Sequence, residues 1–338
     1  MKKSAKFIII VTCMILAAAV VFFAVHAERK AEEEISNTVV AAQYIEPTTN
    51  VNRQVRNSIR EKTGSGEALD DVINILLIGV DNDYLAGMDD LGNADGIMLL
   101  SINNKTEEII LTSFMRDTRV KVPNSYDTKL TTTYHRGGVS LLREVFELNF
   151  EIPISSYVLV NYPEVVSIVD ALGGIDVELS RDEIRTMIPK INNINKLVGA
   201  EVGANIIDVD DTGEHLLNGV QTAAYMRIRP SSTRNDIGRT ERERYVVWQI
   251  MGRFEKMSHS ELIDFANIFF GEVETDLSSN EFLKLLDHSE ELLKYKTVSD
   301  RIPLDGTYTS SSDGNAYVQP DYEVNNKHLF ESIYEGVH

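Results

Sequence analysis

Six arginines fall within one short stretch of the chain: Arg227, Arg229, Arg234, Arg239, Arg242 and Arg244. The 338 residues hold 33 Lys and Arg against 52 Asp and Glu, a net charge of −19, so this density marks a local cationic island. Guanidinium groups bind phosphate oxygens in bidentate fashion. If 223–229 is a strand, Arg227 and Arg229 point to one face. Arg239 and Arg242, three apart near a helix start, also share a face. Cations at a helix N-terminus oppose its dipole unless an anion sits there. The pattern suggests a polyanion site. The competing reading is a solvated face, partly neutralised by Asp236, Glu241 and Glu243.

Two smaller groups add to it. Asp81 follows the apolar run 74–80, and Asp95 precedes the run 97–103. Neighbouring strands would bring the two carboxylates together as oxygen ligands for a hard cation such as Mg²⁺, with Mn²⁺ as a substitute. Aspartate also favours turns and caps, which is the plainer account of both. Arg116 and Asp117 follow the run 108–114, and Lys129 comes after the next loop. There Arg116 is placed for phosphate and Asp117 to orient it, unless they are a surface ion pair.

Other chemistry is less well served. An acidic protein lacks the basic face that nucleic acid needs. Cys13 is the one cysteine, so neither an intramolecular disulfide nor a multi-thiolate zinc site can form. His135 and His215 have no partners at zinc or triad spacing, and there is no G-x-S-x-G elbow or P-loop.

The elements that must position these groups alternate. Runs 74–80, 97–103, 108–114, 155–161, 175–179 and 223–229 read as strands. Segments 139–150, 163–172, 214–221 and 239–256 read as helices, with further helical patterns at 260–270 and 280–293. Residues 181–211 read as a less regular flap, and the chain from Ile302 is rich in turns. The expected fold is α/β, a three-layer α/β/α sandwich with a central mixed sheet, preceded by one N-terminal transmembrane helix. Strand ends are where such folds build their sites.

Lys2, Lys3 and Lys6 precede an apolar run over 7–25, and Glu28, Arg29 and Lys30 follow it. Nineteen residues at about 1.5 Å each span about 28 Å, close to a bilayer's hydrocarbon thickness. Positive charge on the short side sets that end in the cytoplasm and the remainder outside. Residues 1–6 are thus a cytoplasmic tail, 7–25 a single-pass anchor in the cell membrane, 26–72 an extracellular stalk and 73–338 an extracellular domain. Val25-His26-Ala27 leaves open a cleaved signal peptide, which also puts the domain outside.

The ordered set Asn74–Asp81, Ala94–Leu99, Arg116-Asp117-Thr118, Lys129-Leu130, Arg227-x-Arg229 and Asp236-x-Gly238-Arg239-x-x-Arg242 resembles the LytR-CpsA-Psr family. The resemblance covers 73–254 best and includes 157–161 and 169–175. It implies a phosphotransferase that moves a glycopolymer of teichoic acid or capsule type from a polyprenyl-pyrophosphate carrier to peptidoglycan, through a phosphodiester. By position, Asp81 and Asp95 would hold Mg²⁺, while Arg116, Lys129, Arg227, Arg229 and Arg239 bind pyrophosphate oxygens. Asp117 would support Arg116, Arg242 complete the cationic shell, and Asp236 serve as base for the acceptor hydroxyl. An apolar channel for the lipid tail is also implied.

Two departures stand out. Many members carry Arg-Ser-Asp where this chain has Asn93-Ala94-Asp95, and often Arg-Gln where it has Arg242-Glu243. The site has one cation fewer and one carboxylate more. That motivates one other reading, an anchored module that binds polymer or regulates without turnover; a second, a hydrolase of the lipid carrier with water as acceptor, needs the same residues as the transferase.

Overall fold

The computed structural model describes residues 50–64, 67–81, 91–228, 235–254, 272–276, 295–311 and 317–338, with Phe265 and Ile268 between them. The apolar run 7–25 and most of the helical patterns at 260–270 and 280–293 lie outside these residues. No helix among the described residues is long and apolar enough to cross a membrane.

The centre is a six-stranded mixed sheet built from β1 (Val72–Asp81), β2 (Asn93–Asn103), β3 (Glu108–Phe114), β6 (Ser156–Asn161), β9 (Glu274–Thr275) and β10 (Lys296–Ile302). Their order is β10-β3-β2-β1-β6-β9. β1 runs antiparallel to β2 and parallel to β6, while β2 is antiparallel to β3 and β10 parallel to it. β2 and β3 are buried almost continuously rather than at alternate residues. Both faces of the sheet are therefore covered.

Helix α1 (Asn50–Thr63) falls in the expected stalk, yet Asn52, Val55 and Ile59 are buried and Ile59 joins the main core. Helix α2 (Leu130–Phe150) begins earlier than its apolar pattern suggests and bends at Gly137-Gly138, where the backbone leaves helical geometry. Its C-terminal half supplies Leu142, Val145, Phe146 and Phe150 to the same core as Leu76, Ile78 and Val80 of β1. Phe114, Phe146 and Phe150 meet with ring centroids 4.6–4.8 Å apart, a tilted and edge-on packing that suits aromatic quadrupoles. This cluster fixes the end of β3 two residues before Arg116.

A second core holds α3 (Tyr162–Ala171), α4 (Arg181–Leu197), α5 (Gly219–Met226) and the hairpin of β7 (Ile175–Leu179) with β8 (Gly213–Leu217). Here the sequence reading needs three corrections. Residues 181–197 form a helix, not a flap. Ile184, Met187, Ile191 and Ile194 are buried at helical spacing, and Ser180 with Glu183 forms a capping box. Pro189 inside the helix masks that pattern. Residues 213–217 are a strand paired with β7 rather than the start of a helix. Residues 223–226, read as the start of a strand, instead continue a helix over 219–226, because Asn218 caps it against Gln221 and its alanines are buried.

Helix α6 (Asn235–Phe254) carries the arginine-rich stretch. Beyond Ile302 the chain makes a hairpin of β11 (Tyr308–Ser310) and β12 (Val318–Pro320). Helix α7 (Tyr322–Phe330) follows, then a π turn at Glu331–Glu335. This end is more regular than its turn residues suggest.

Candidate functional site

Register brings the acidic and basic groups to one end of the sheet. Asp81 closes β1, and antiparallel β2 starts beside it, with Asp81 opposite Asn93. Pairing runs Gly79 to Gly96 and then Val80 to Ala94, so Asp95 is the extra residue of a β-bulge. Bulges re-aim side chains at strand ends. The ends of β3 and β6 reach the same edge, because Val80 pairs with Asn161 and Met98 with Ser113. The small hairpin of β4 (Arg119–Val120) and β5 (Thr128–Lys129) sets Lys129 opposite Arg119.

Arg116 donates from Nη1 to Asp95 Oδ1 at 2.6 Å, and Thr131 Oγ1 donates to that oxygen at 3.3 Å. The loop carrying Arg116 is held by the first turn of α2: the Thr131 amide donates to the Arg116 carbonyl, and the Leu130 amide to Thr118. The buried Arg239 approaches Asp95 from α6, with Nη1 3.6 Å from Oδ2 and Nη2 donating to the Asp95 carbonyl at 3.0 Å. Its Nε lies 3.4 Å from Glu243 Oε1, and the Glu243 carboxylate packs over Gly96. Arg227 Nη2 donates to Asp81 Oδ2 at 3.1 Å. Lys129 Nζ lies 2.9 Å from Asp117 Oδ1, whereas Arg116 Nε is 3.9 Å from Asp117 Oδ2.

Four cations thus meet four carboxylates, and each cation has at least one anionic partner. The arrangement is part-buried, where ion pairs matter more than on open surface. A dianionic or trianionic ligand could exchange with these carboxylates while keeping the guanidinium groups satisfied.

Several expectations change in detail. Asp117 pairs with Arg116 as expected, but more loosely, at 3.9 Å, than with Lys129 at 2.9 Å. Arg242 is engaged away from this group: Nη2 pairs with Glu183 Oε1 at 2.9 Å, Nη1 donates to the Gly238 carbonyl at 3.1 Å, and the guanidinium lies 5.6 Å from the Tyr225 ring. Three residues along α6 turn its side chain about 60° from Arg239. Arg227 caps α5 instead of lying on a strand, so it does not share a strand face with Arg229. Arg229, Arg234 and the side chain of Asp236 lie outside the described residues. Arg244 turns to β10, where burial and then the charge of Arg301 lower its pKa, opposed by Glu241 and Asp300.

Tyr162 and Thr131 are the members that sequence reasoning missed, and Glu183 is a missed neighbour beside them. Tyr162 begins α3 directly after the Asn161 cap, and its ring lies 4.7 Å from the Arg227 guanidinium. Its place at the end of a parallel strand was the available signal. Glu183 caps α4 through Ser180 and holds Arg242 through its other oxygen.

No group of three or more His, Cys, Asp or Glu side chains suited to a metal ion occurs among the described residues. Asp81 and Asp95 still fit Mg²⁺, which is usually held by one or two carboxylates together with phosphate oxygens and waters.

The LytR_cpsA_psr family model matches residues 27–331. The polyisoprenyl-teichoic acid–peptidoglycan teichoic acid transferase TagU of Oceanobacillus iheyensis is 31% identical over 226 residues, 64% of this chain. The chain spans 62% of that relative's length. The crystal structure of TagV from Bacillus subtilis is 25% identical with a TM-score of 0.59, covering 78% of this chain and 96% of that one. A structure of the LytR-CPS2A-psr family protein YwtF (TagT) with bound octaprenyl pyrophosphate lipid is similar in fold. It is 21% identical with a TM-score of 0.55, covering 79% of this chain and 91% of the other.

Proposed function

The chain belongs to the LytR-CpsA-Psr family, and on that premise we propose that it is a phosphotransferase that attaches a polyprenyl-pyrophosphate-linked anionic glycopolymer to peptidoglycan. The observation that carries this reading is the cradle of Arg116, Lys129, Arg227 and Arg239, each set against a carboxylate at one sheet edge. A diphosphate supplies the oxygens that such a cradle recognises. The transferase name of the TagU relative and the lipid in the YwtF structure support the same ligand class.

In the proposed reaction an acceptor hydroxyl of peptidoglycan attacks the phosphorus that bears the glycopolymer. The new P–O bond forms as the bond to the bridging oxygen breaks, and the prenyl monophosphate leaves with the electron pair. Asp236 is the proposed base that takes the hydroxyl proton. Arg116 and Arg239 are held by Asp95 for the diphosphate oxygens, Arg227 by Asp81, and Lys129 by Asp117. Such transfer depends mainly on positioning and charge stabilisation. Mg²⁺ held by Asp81 and Asp95 would neutralise part of the diphosphate charge. Residues 7–25 anchor the protein, and the domain works on the outer face of the membrane, where a lipid carrier and the wall are both in reach.

One observation favours a second reading. Glu243 occupies one side of Arg239, which weakens the cradle relative to an amide at that position and would suit a module that binds without turnover. Incubating the full chain with a prenyl-diphosphate oligosaccharide, peptidoglycan fragments and Mg²⁺, with products followed by mass spectrometry, separates the readings. A phosphodiester-linked product that Asp95→Ala and Arg227→Ala abolish supports ligation. Free phosphorylated glycan alone indicates hydrolysis, and binding without product indicates the anchored module.

A further inference from the structure

Tyr162 lies beside the site's charges, and among the described residues its hydroxyl makes no hydrogen bond. It is the first residue of α3, and Asn161 before it pairs with Val80, so it emerges beside Asp81. The Arg227 guanidinium lies 4.7 Å from the ring centroid, within cation–π range. The same guanidinium holds Asp81 at 3.1 Å. Tyrosine thus sets the plane of the arginine from below while Asp81 fixes its edge.

The phenol is more than a stacking surface. Burial first, and then the charges of Asp81, Asp95 and Glu243, raise its pKa, against the opposing pull of Arg227. The group stays protonated and available as a donor throughout the neutral range. Three carboxylates influence it, yet among the described residues none accepts a hydrogen bond from its oxygen. A part-buried phenol normally finds a partner.

We infer that Tyr162 is a further ligand-binding residue of this site: its ring positions the Arg227 guanidinium, and its hydroxyl donates to a diphosphate oxygen held by that arginine. The inference rests on the diphosphate reading above and assigns that site a neutral donor among its cations. Such a donor adds a directional contact without adding charge, and it does not depend on exchanging a carboxylate partner.

The test is calorimetric titration of the full chain in detergent with geranyl diphosphate and MgCl₂, beside thermal melts. Tyr162→Phe keeps the stacked ring and removes only the hydroxyl. The expected result is affinity lower by about tenfold or more, as a hydrogen bond to a charged acceptor is lost, with an unchanged melting temperature. Tyr162→Leu loses the stacking as well and should bind more weakly still. Equal affinity of Tyr162→Phe and wild type overturns the inference. If Arg227→Ala weakens binding in the same series, the diphosphate reading survives that loss. If the wild type binds no geranyl diphosphate at all, the diphosphate reading and this inference fall together.

Discussion

Asp95 accepts a 2.6 Å hydrogen bond from Arg116 across the gap between the bulge of β2 and the loop after β3. With Arg239 3.6 Å from its other oxygen, one carboxylate orders two guanidinium groups from separate elements. Asp95→Asn should therefore cut ligation by at least about a hundredfold while the melting temperature changes little. Asp95→Ala leaves both guanidinium groups without that partner and should cost about 2–3 kcal/mol of stability. Product analysis and denaturant melts of the two variants check both statements.

Glu243 competes for Arg239 at 3.4 Å. Glu243→Gln should tighten geranyl diphosphate binding by about three- to tenfold at low ionic strength, with the gain shrinking as salt screens the removed charge. Titrations at two salt concentrations decide it. Unchanged or weaker binding would mean that Glu243 serves to hold Arg239 in place.

Glu183 joins α4 to α6 by capping one helix and pairing with Arg242 of the other. Burial pushes its pKa up, but the hydrogen bonds from Ser180 and Arg242 outweigh it and hold the carboxyl below its ordinary 4.5. Because the folded value is depressed, the stability it contributes is present above pH 4.5 and lost as pH falls through the folded value. Glu183→Gln should flatten that acid limb and lower stability at neutral pH by about 1–2 kcal/mol. Urea melts from neutral pH down to the acid limb measure both.

His328 of α7 meets Asp300 of β10 at 2.6 Å. The hydrogen bond to Asp300 and its charge raise the imidazole pKa above 6.5 against the effect of burial. Here the folded value is raised, so the contribution is complete below pH 6.5 and disappears as pH rises through the folded value. Thermal melts across that interval should show wild type losing stability with rising pH, and His328→Gln losing less.

Legibility in the sequence followed how local the signal was. The buried strands β1, β2 and β3 are apolar runs with no competing pattern, and the charged residues at their ends fall together because antiparallel pairing leaves little freedom of register. The stretch 213–229 misled because Leu216, Leu217, Ala223 and Ala224 suit either period, and only the Asn218–Gln221 cap decides the phase. The helix at 181–197 was hidden by Pro189, although Ser180 and Glu183 spelled its start. The pairing of Asp117 with Lys129, and of Arg242 with Glu183, depends on tertiary contacts that no spacing rule carries. Tyr162 was overlooked because an aromatic residue at a helix start has no charge to draw notice.

The outer edge of β3 is covered by β10, which pairs Lys296 through Ile302 with Glu108 through Phe114. A chain emerging N-terminus first completes β1, β2 and β3 long before the strand that seals them exists. Through that interval β3 offers an open ladder to any neighbouring chain, the arrangement that invites edge-to-edge aggregation. A strand made more than 180 residues after β3 is thus its protective border. A chain cut between helix α6 and Lys296 would keep every cation of the cradle and still expose that edge to aggregation.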